Sequence, residues 1–241
     1  MKASYQKPQS SSALFKAAFA LTVSAALSTQ AVAAESAVEE GYYASLGYQS
    51  ANVKAEGMEN SLRPGIGSFV KGDDQDKANA VSIALGYDFG NNWRLEGEYT
   101  SAQEVHFTSG SSIFSGSLNN HYAESERVMF NVYRDLKLKG GFSVYATGGL
   151  GVAKIESSGW QGNSSRQYHS NTDTNLIYAL GVGVGYEPVE NVNFSLGYRY
   201  VDLGKVESGM NAFGNSRNLQ DEQMRAHLYS SEYSLSVRYT F

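Results

Sequence analysis

Seven charged residues of this 241-residue sequence carry the spacing most suggestive of a built constellation: Arg94, Glu96, Glu98, Arg127, Arg199, Glu232 and Arg238. Arg94, Glu96 and Glu98 are two apart, and residues two apart point to the same side of a strand. Charges of both signs gathered in a narrow enclosure can line an ion-selective path. They can equally neutralise one another as a plug, because a buried charge without its partner costs several kcal/mol. Other chemistry is thinner. The histidines, His106, His121, His169 and His227, lie in or beside polar stretches, and no close pair has metal-ligand spacing. Tyr168-His169-Ser170 sets a hydroxyl beside an imidazole, but no base-orienting acid follows by spacing. Gly181, Gly183 and Gly185 alternate within a strand-like run, whereas a phosphate loop needs its glycines at a strand-to-helix turn. No catalytic residue, metal or cofactor is expected.

The elements that must position these residues are strands. Tyr42, Ala44, Leu46 and Tyr48 alternate with Tyr43, Ser45, Gly47 and Gln49, and seven further runs alternate in the same way, centred near residues 85, 96, 130, 148, 181, 198 and 237. In each, one face is apolar and the other is small or polar, and no helical period competes. Short turns are expected near residues 90, 138 and 189. Long, charged, Gly/Ser/Asn-rich connections are expected over roughly 54–77, 104–123, 155–174 and 203–226.

Lys2, Lys7 and Lys16 precede the apolar run Ala17–Leu27 and the small residues Ala31-Val-Ala-Ala34, the pattern of a secretory leader. The run is too short for the roughly 20 residues of a membrane-spanning helix. The expected organisation is a leader over 1–34 and one domain over 35–241. Removing the leader leaves 16 Lys+Arg against 24 Asp+Glu, a net charge of −8 in place of −5. That balance lacks the basic footprint of a nucleic-acid binder. The absence of cysteine excludes both disulfides and cysteine-ligated metal.

A soluble sandwich also has one apolar face per strand. Three features point instead to an all-β, eight-stranded antiparallel up-and-down barrel that crosses a membrane. Large residues occupy one face, while Gly, Ala and Ser crowd the face that would line a tight interior. An even strand number lets the first strand meet the last and leaves no edge in lipid. Aromatic residues stand toward the ends of the apolar bands, as girdles do: Tyr42, Phe89, Trp93, Tyr186 and Phe194 near the short turns, Tyr200 nearer the long connections. An eight-stranded interior is only just wide enough for side chains, which favours the plug over the ion path.

These runs resemble the opacity-type surface antigens, small outer-membrane β-barrels of Gram-negative bacteria. Leu196-Gly-Tyr-Arg-Tyr-Val-Asp-Leu-Gly204 is similar to that family's penultimate strand. Gly148-Gly-Leu-Gly-Val152 and Gly181-Val-Gly-Val-Gly-Tyr186 resemble its glycine-alternating strands. Tyr233, Leu235, Val237, Tyr239 and Phe241 share one face of the last run, and its aromatic end resembles the signal read by the outer-membrane assembly machinery, a resemblance that implies recognition by strand addition. The resemblance implies an outer-membrane location among lipid and lipopolysaccharide. It implies no particular activity, since such barrels serve several functions.

Binding residues concentrate on loops held by rigid scaffolds. Phe107, Phe114, Trp160 and Phe213 are therefore candidate anchors for a host or matrix ligand, unless they pack the loops against one another. The expected function is non-enzymatic display of four long outer loops, for adhesion or an envelope-structural role. A narrow ion or solute pore is the alternative, and a rim lipid hydrolase the third reading.

Overall fold

The computed structural model describes residues 40–60, 68–114 and 116–241. The expected leader lies outside the described residues. Nine strands follow one another: β1 (Glu40–Asn60), β2 (Phe69–Lys71), β3 (Gln75–Phe89), β4 (Trp93–Ser111), β5 (Asn119–Lys137), β6 (Phe142–Gln161), β7 (Gln167–Val189), β8 (Val192–Glu207) and β9 (Met224–Thr240). Eight of them close an antiparallel barrel in the order β1-β3-β4-β5-β6-β7-β8-β9, with β9 paired back onto β1 from Tyr43–Thr240 to Asn60–Met224. The short β2 is added to the far end of β4.

The outward face explains why the chain folds this way. Leu46, Ile83, Leu95, Phe130, Leu150, Leu180, Leu196 and Leu235 are all exposed on the barrel wall. A continuous apolar belt of this kind has no place in water and suits the hydrocarbon of a bilayer, where closure satisfies every backbone group that an open edge would strand. The turns at the Phe89 end are tight, with Asn92 at φ 70° and Asn191 at φ 69° in the left-handed region that asparagine tolerates. Inside the belt, tyrosine rings lie over glycines on adjacent strands. A Cβ at Gly86 would collide with the Tyr43 ring, and one at Gly183 with Tyr145.

The strands are 15 to 23 residues long apart from β2, well beyond the roughly ten that cross the apolar band. This corrects the four long connections expected from sequence. What joins the strands at the outer end is only 61–74, which carries β2, then 112–118, 162–166 and 208–223. The remainder of the expected loops is barrel wall. It escaped notice because the alternation changes sense. In β1 the belt residues Leu46 and Tyr48 face out, whereas higher up Ala51, Val53 and Ala55 face in, with Asn52, Lys54 and Glu56 outside. There the wall stands in water and the apolar side is the inside.

Pairing of β3 with β4 runs only from Ser82–Thr100 to Asp88–Arg94. Above it β4 bulges between Thr100 and Gln103, and side chains bridge the seam. Asp76 Oδ2 accepts from the His106 amide at 2.8 Å, and Ser101 Oγ accepts from the Val81 amide at 3.1 Å.

Candidate functional site

The structure divides the interior into two layers. Within the membrane belt the inward positions of β4, β5, β8 and β9 bring together all seven charged residues singled out from the sequence. Arg199 is the hub. Its Nη1 and Nη2 donate to the two oxygens of Glu98 at 2.7 and 3.2 Å, and its Nε and Nη2 donate to Glu232 Oε2 at 3.2 and 3.1 Å. Arg127 Nη2 donates to the same Glu232 oxygen at 2.7 Å and to Gln49 Oε1 at 3.0 Å. Glu98 is further held by Gln49 Nε2 at 2.6 Å and Asn131 Nδ2 at 2.9 Å. Nearer the tight turns, Arg94 grips Asp135 at 2.6 and 3.0 Å and lies 4.2 Å from the Tyr133 ring centroid. Glu96 accepts from the hydroxyls of Tyr133 at 2.9 Å and Tyr43 at 3.2 Å. Arg238 sits over the Tyr43 ring at 5.1 Å, with Asp88 at 3.9 Å. Paired and hydrogen-bonded in this way, the charges fill the lumen. A cavity of about 70 Å³ remains among them, lined by Arg94, Glu96, Glu98, Arg199 and Arg238, and one of about 320 Å³ opens at the mouth on the side of the tight turns.

Above the charges the interior is apolar, a layer the sequence reading missed. Val53, Val105, Phe107, Ile155, Ile177, Val201, Leu203 and Leu228 are each at most 4% exposed and form one cluster. The signal was present as the inverted alternation beyond the belt. His121 also points inward at this level, beside Ser157. Burial, with the nearby His106 charge second, depresses its imidazole to about pKa 4, so it is neutral at physiological pH.

The outer ends of the strands and their connections make a crown. The connection 208–223 is folded around Asn211, whose Nδ2 donates to the carbonyls of Phe213 at 2.6 Å and Leu219 at 3.0 Å, while its Oδ1 accepts from the Glu222 amide at 2.8 Å. Asn211 also bridges to Tyr168 at the start of β7. The four candidate anchors separate. Phe107 is completely buried in the lumen and is no loop anchor. The bulge in β4 reverses the parity that would have turned it outward. Trp160 is half-buried on the outer face of β6 rather than in a loop. Phe114 is exposed and lines an outer groove of about 250 Å³. Phe213 packs edge-on against Tyr168 at 5.5 Å and lies under the Arg166 guanidinium at 4.0 Å.

The remaining sequence candidates are dispersed. Tyr168 is buried, Ser170 Oγ donates to Glu156 at 2.8 Å, and the His169 side chain is exposed, so the three do not converge. His106 stacks on Tyr122 and His227 on Tyr229. His227 also contacts Asp202 at 2.6 Å on the outside of the wall. Among the described residues no group of three or more His, Cys, Asp or Glu side chains is placed to hold a metal. The girdle residues Tyr42, Phe89, Trp93, Tyr186, Phe194 and Tyr200 are all exposed on the outer wall, as are Tyr233, Leu235, Val237, Tyr239 and Phe241 of the closing strand.

Comparison with known proteins agrees with this architecture. Outer membrane protein PagN of Salmonella typhimurium is 26% identical over 172 residues, which span 66% of this chain and 71% of PagN. A Rickettsia rickettsii protein named as a candidate adhesin is 26% identical over 178 residues, covering 64% of this chain and 77% of its own. Among solved structures, the outer membrane protein OprG of Pseudomonas aeruginosa superposes with a TM-score of 0.53 at 13% identity, over 84% of this chain and 97% of OprG, a likeness of fold alone. The family model described as the outer membrane protein beta-barrel domain matches residues 18–241. With its closed belt, filled lumen and elevated crown, the chain belongs to that outer-membrane β-barrel family.

Proposed function

We propose that the protein is a closed, non-enzymatic surface barrel whose crown binds a ligand on another cell or on matrix. The observation that carries this reading is the apolar layer across the outer half of the lumen. It leaves the crown as the surface facing the outside, with a band of buried apolar side chains behind it. Rigid strands lift the crown well above the bilayer, and a connection tied down by the hydrogen bonds around Asn211 presents binding groups with little freedom to lose. The name of the Rickettsia relative points in the same direction. Its test is an exchange of the crown. Cells expressing the protein with 112–118, 162–166 and 208–223 each replaced by short Gly-Asn turns are expected to retain the barrel, as judged by heat-modifiable gel migration, and to lose attachment to host-cell monolayers and matrix-coated surfaces. Undiminished attachment with the barrel intact would refute it.

A further inference from the structure

The outer groove has a more specific chemistry than adhesion requires. Phe69 and Phe114 supply ring surface, and Arg166, Asn119, Gln161 and Asn215 supply polar groups. Arg166 is held by a relay that crosses three strands: Asn119 Nδ2 donates to Ser109 Oγ at 3.3 Å, Gln161 Nε2 to Asn119 Oδ1 at 3.2 Å, and Arg166 Nη2 to Gln161 Oε1 at 2.8 Å. Phe213 supports the same guanidinium from beneath at 4.0 Å. Arg166 thus stands fixed and half-buried, with no carboxylate partner among the described residues. The nearby acid, Asp221, is engaged by Arg217 at 2.7 Å and by Asn215 at 2.7 Å. A guanidinium immobilised by neutral partners is prepared for an anion that the protein does not itself provide, and its planar fork matches a carboxylate.

We infer that this groove binds a carboxylate-bearing sugar unit, with the carboxylate on Arg166, the ring's C–H face against Phe69 or Phe114, and hydroxyls on the amide side chains. The inference deepens the binding role proposed above and rests on it. The groove presents mostly apolar surface with serine hydroxyls, amides and one guanidinium set into it, which suits a sugar ring that has a C–H face as well as a polar edge. A volume of about 250 Å³ falls below the roughly 300–1,000 Å³ of drug-sized pockets, so it takes one terminal unit rather than a stretch of chain. A single cation in the groove also disfavours a polysulfated chain, which needs several.

The test is calorimetric titration of the full-length protein in lipid nanodiscs with 3′-sialyllactose, its methyl ester, lactose, a glucuronic-acid-terminated disaccharide and an acidic phenylalanine-containing pentapeptide. At least one acidic sugar is expected to bind, and to do so at least tenfold more tightly than its methyl ester or neutral analogue. The ester comparison removes the charge from the ligand and needs no variant. Arg166→Met is expected to abolish that preference and Phe114→Ala to weaken binding several-fold, while Lys71→Met leaves it unchanged. Equal binding of lactose, no binding of either acidic sugar up to millimolar concentration, or binding of the peptide alone would each overturn the inference. Attachment assays on the same proteins separate the two levels. If Arg166→Met cells attach normally and only crown-exchanged cells fail, the sugar assignment falls and the binding role stands. If crown-exchanged cells also attach, the binding role falls.

Discussion

Glu232 accepts from both Arg127 and Arg199, and with Glu98 on the other side of Arg199 two carboxylates balance two guanidiniums inside the barrel wall, under a layer of apolar side chains. Glu232→Gln should therefore destabilise the barrel by about 3–5 kcal/mol, the range for breaking a buried pair and leaving a charge uncompensated. The check is a shifted urea midpoint of unfolding in lipid vesicles. His121 makes a different prediction, because it lies above the belt and its folded-state pKa of about 4 is below the ordinary value of 6.5. Stability from its neutral form is complete above pH 6.5. It declines as pH falls from 6.5 toward 4, since the unfolded chain takes up the proton first. At pH 5 the loss is on the order of 2 kcal/mol. Hydrogen exchange at Phe107 and Ala123, the neighbours of His121 in the wall, should quicken between pH 7.5 and 5 after correction for intrinsic rates, and His121→Asn should flatten that dependence. At this scale the sequence was informative where a local rule sufficed. Alternation alone turned Arg94, Glu96 and Glu98 to one side. Arg166 went unremarked because its partners Gln161, Asn119 and Phe213 come from separate parts of the chain, although it is the one Lys or Arg within 155–174.

Each strand passes through two solvents, and the sense of its pattern follows the solvent. Within the belt the outside is lipid and takes Leu46 or Leu235, while the inside takes Gln49 or Glu232. Above the belt the outside is water and takes Lys54 or Arg225, while the inside takes Val53 or Leu228. A reading that identifies a strand by one persistent apolar face stops where the sense inverts, and this is why β1, β4, β6 and β8 looked shorter than they are. The bulge between Thr100 and Gln103 compounds the difficulty in β4, since one irregular step moves Phe107 from outside to inside and nothing local announces it. The seam beside that bulge is held by Asp76, whose Oδ2 accepts from the His106 amide and Oδ1 from the Lys77 amide, both at 2.8 Å. Asp76→Ala is expected to accelerate amide exchange at 76–80 and 102–107 while leaving the β6–β7 ladder unchanged. The belt portion of the closing strand, from Tyr233 onward, was legible because one sense of alternation runs through it, whereas its upper part from Met224 was not. Tyr239 and Phe241 meet edge to face at 5.4 Å on the lipid side, and the Phe241 amide donates to Tyr42 carbonyl at 2.9 Å. Phe241→Ala is expected to lower the yield of inserted barrel in outer-membrane fractions. Wild-type yield would remove the assembly role proposed for that face.

For the whole molecule, membership in an outer-membrane barrel family leaves open whether the cylinder is a conduit or a pedestal, since the same scaffold serves both. The two interior layers decide between them on physical grounds. Charges alone would not close the lumen, because a network such as that around Arg199 can hold water and exchange ions. The layer above it is mostly apolar, with His121 neutral beside Ser157 and no charged pair among its members. Val53 and Ala55 on β1 face Val105 and Phe107 on β4, Ile155 on β6, Ile177 on β7 and Leu228 on β9, two inward positions that span roughly 7 Å at about 3.3 Å per residue, while Ala51 pairs with Glu232 of the charged layer. An apolar constriction of that length excludes water and blocks ions without any gate. The purified protein in a planar bilayer should therefore show no steady ion-selective openings, and Arg199→Ala, which alters only the polar layer, should not create them. Phe107→Ala combined with Leu228→Ala removes bulk from the apolar layer itself and should admit water and small, brief conductance steps. Steady openings in the unmodified protein that change with Arg199→Ala would show that ions do reach the charged layer, and the protein would then be a channel carrying a crown rather than a crown on a closed support.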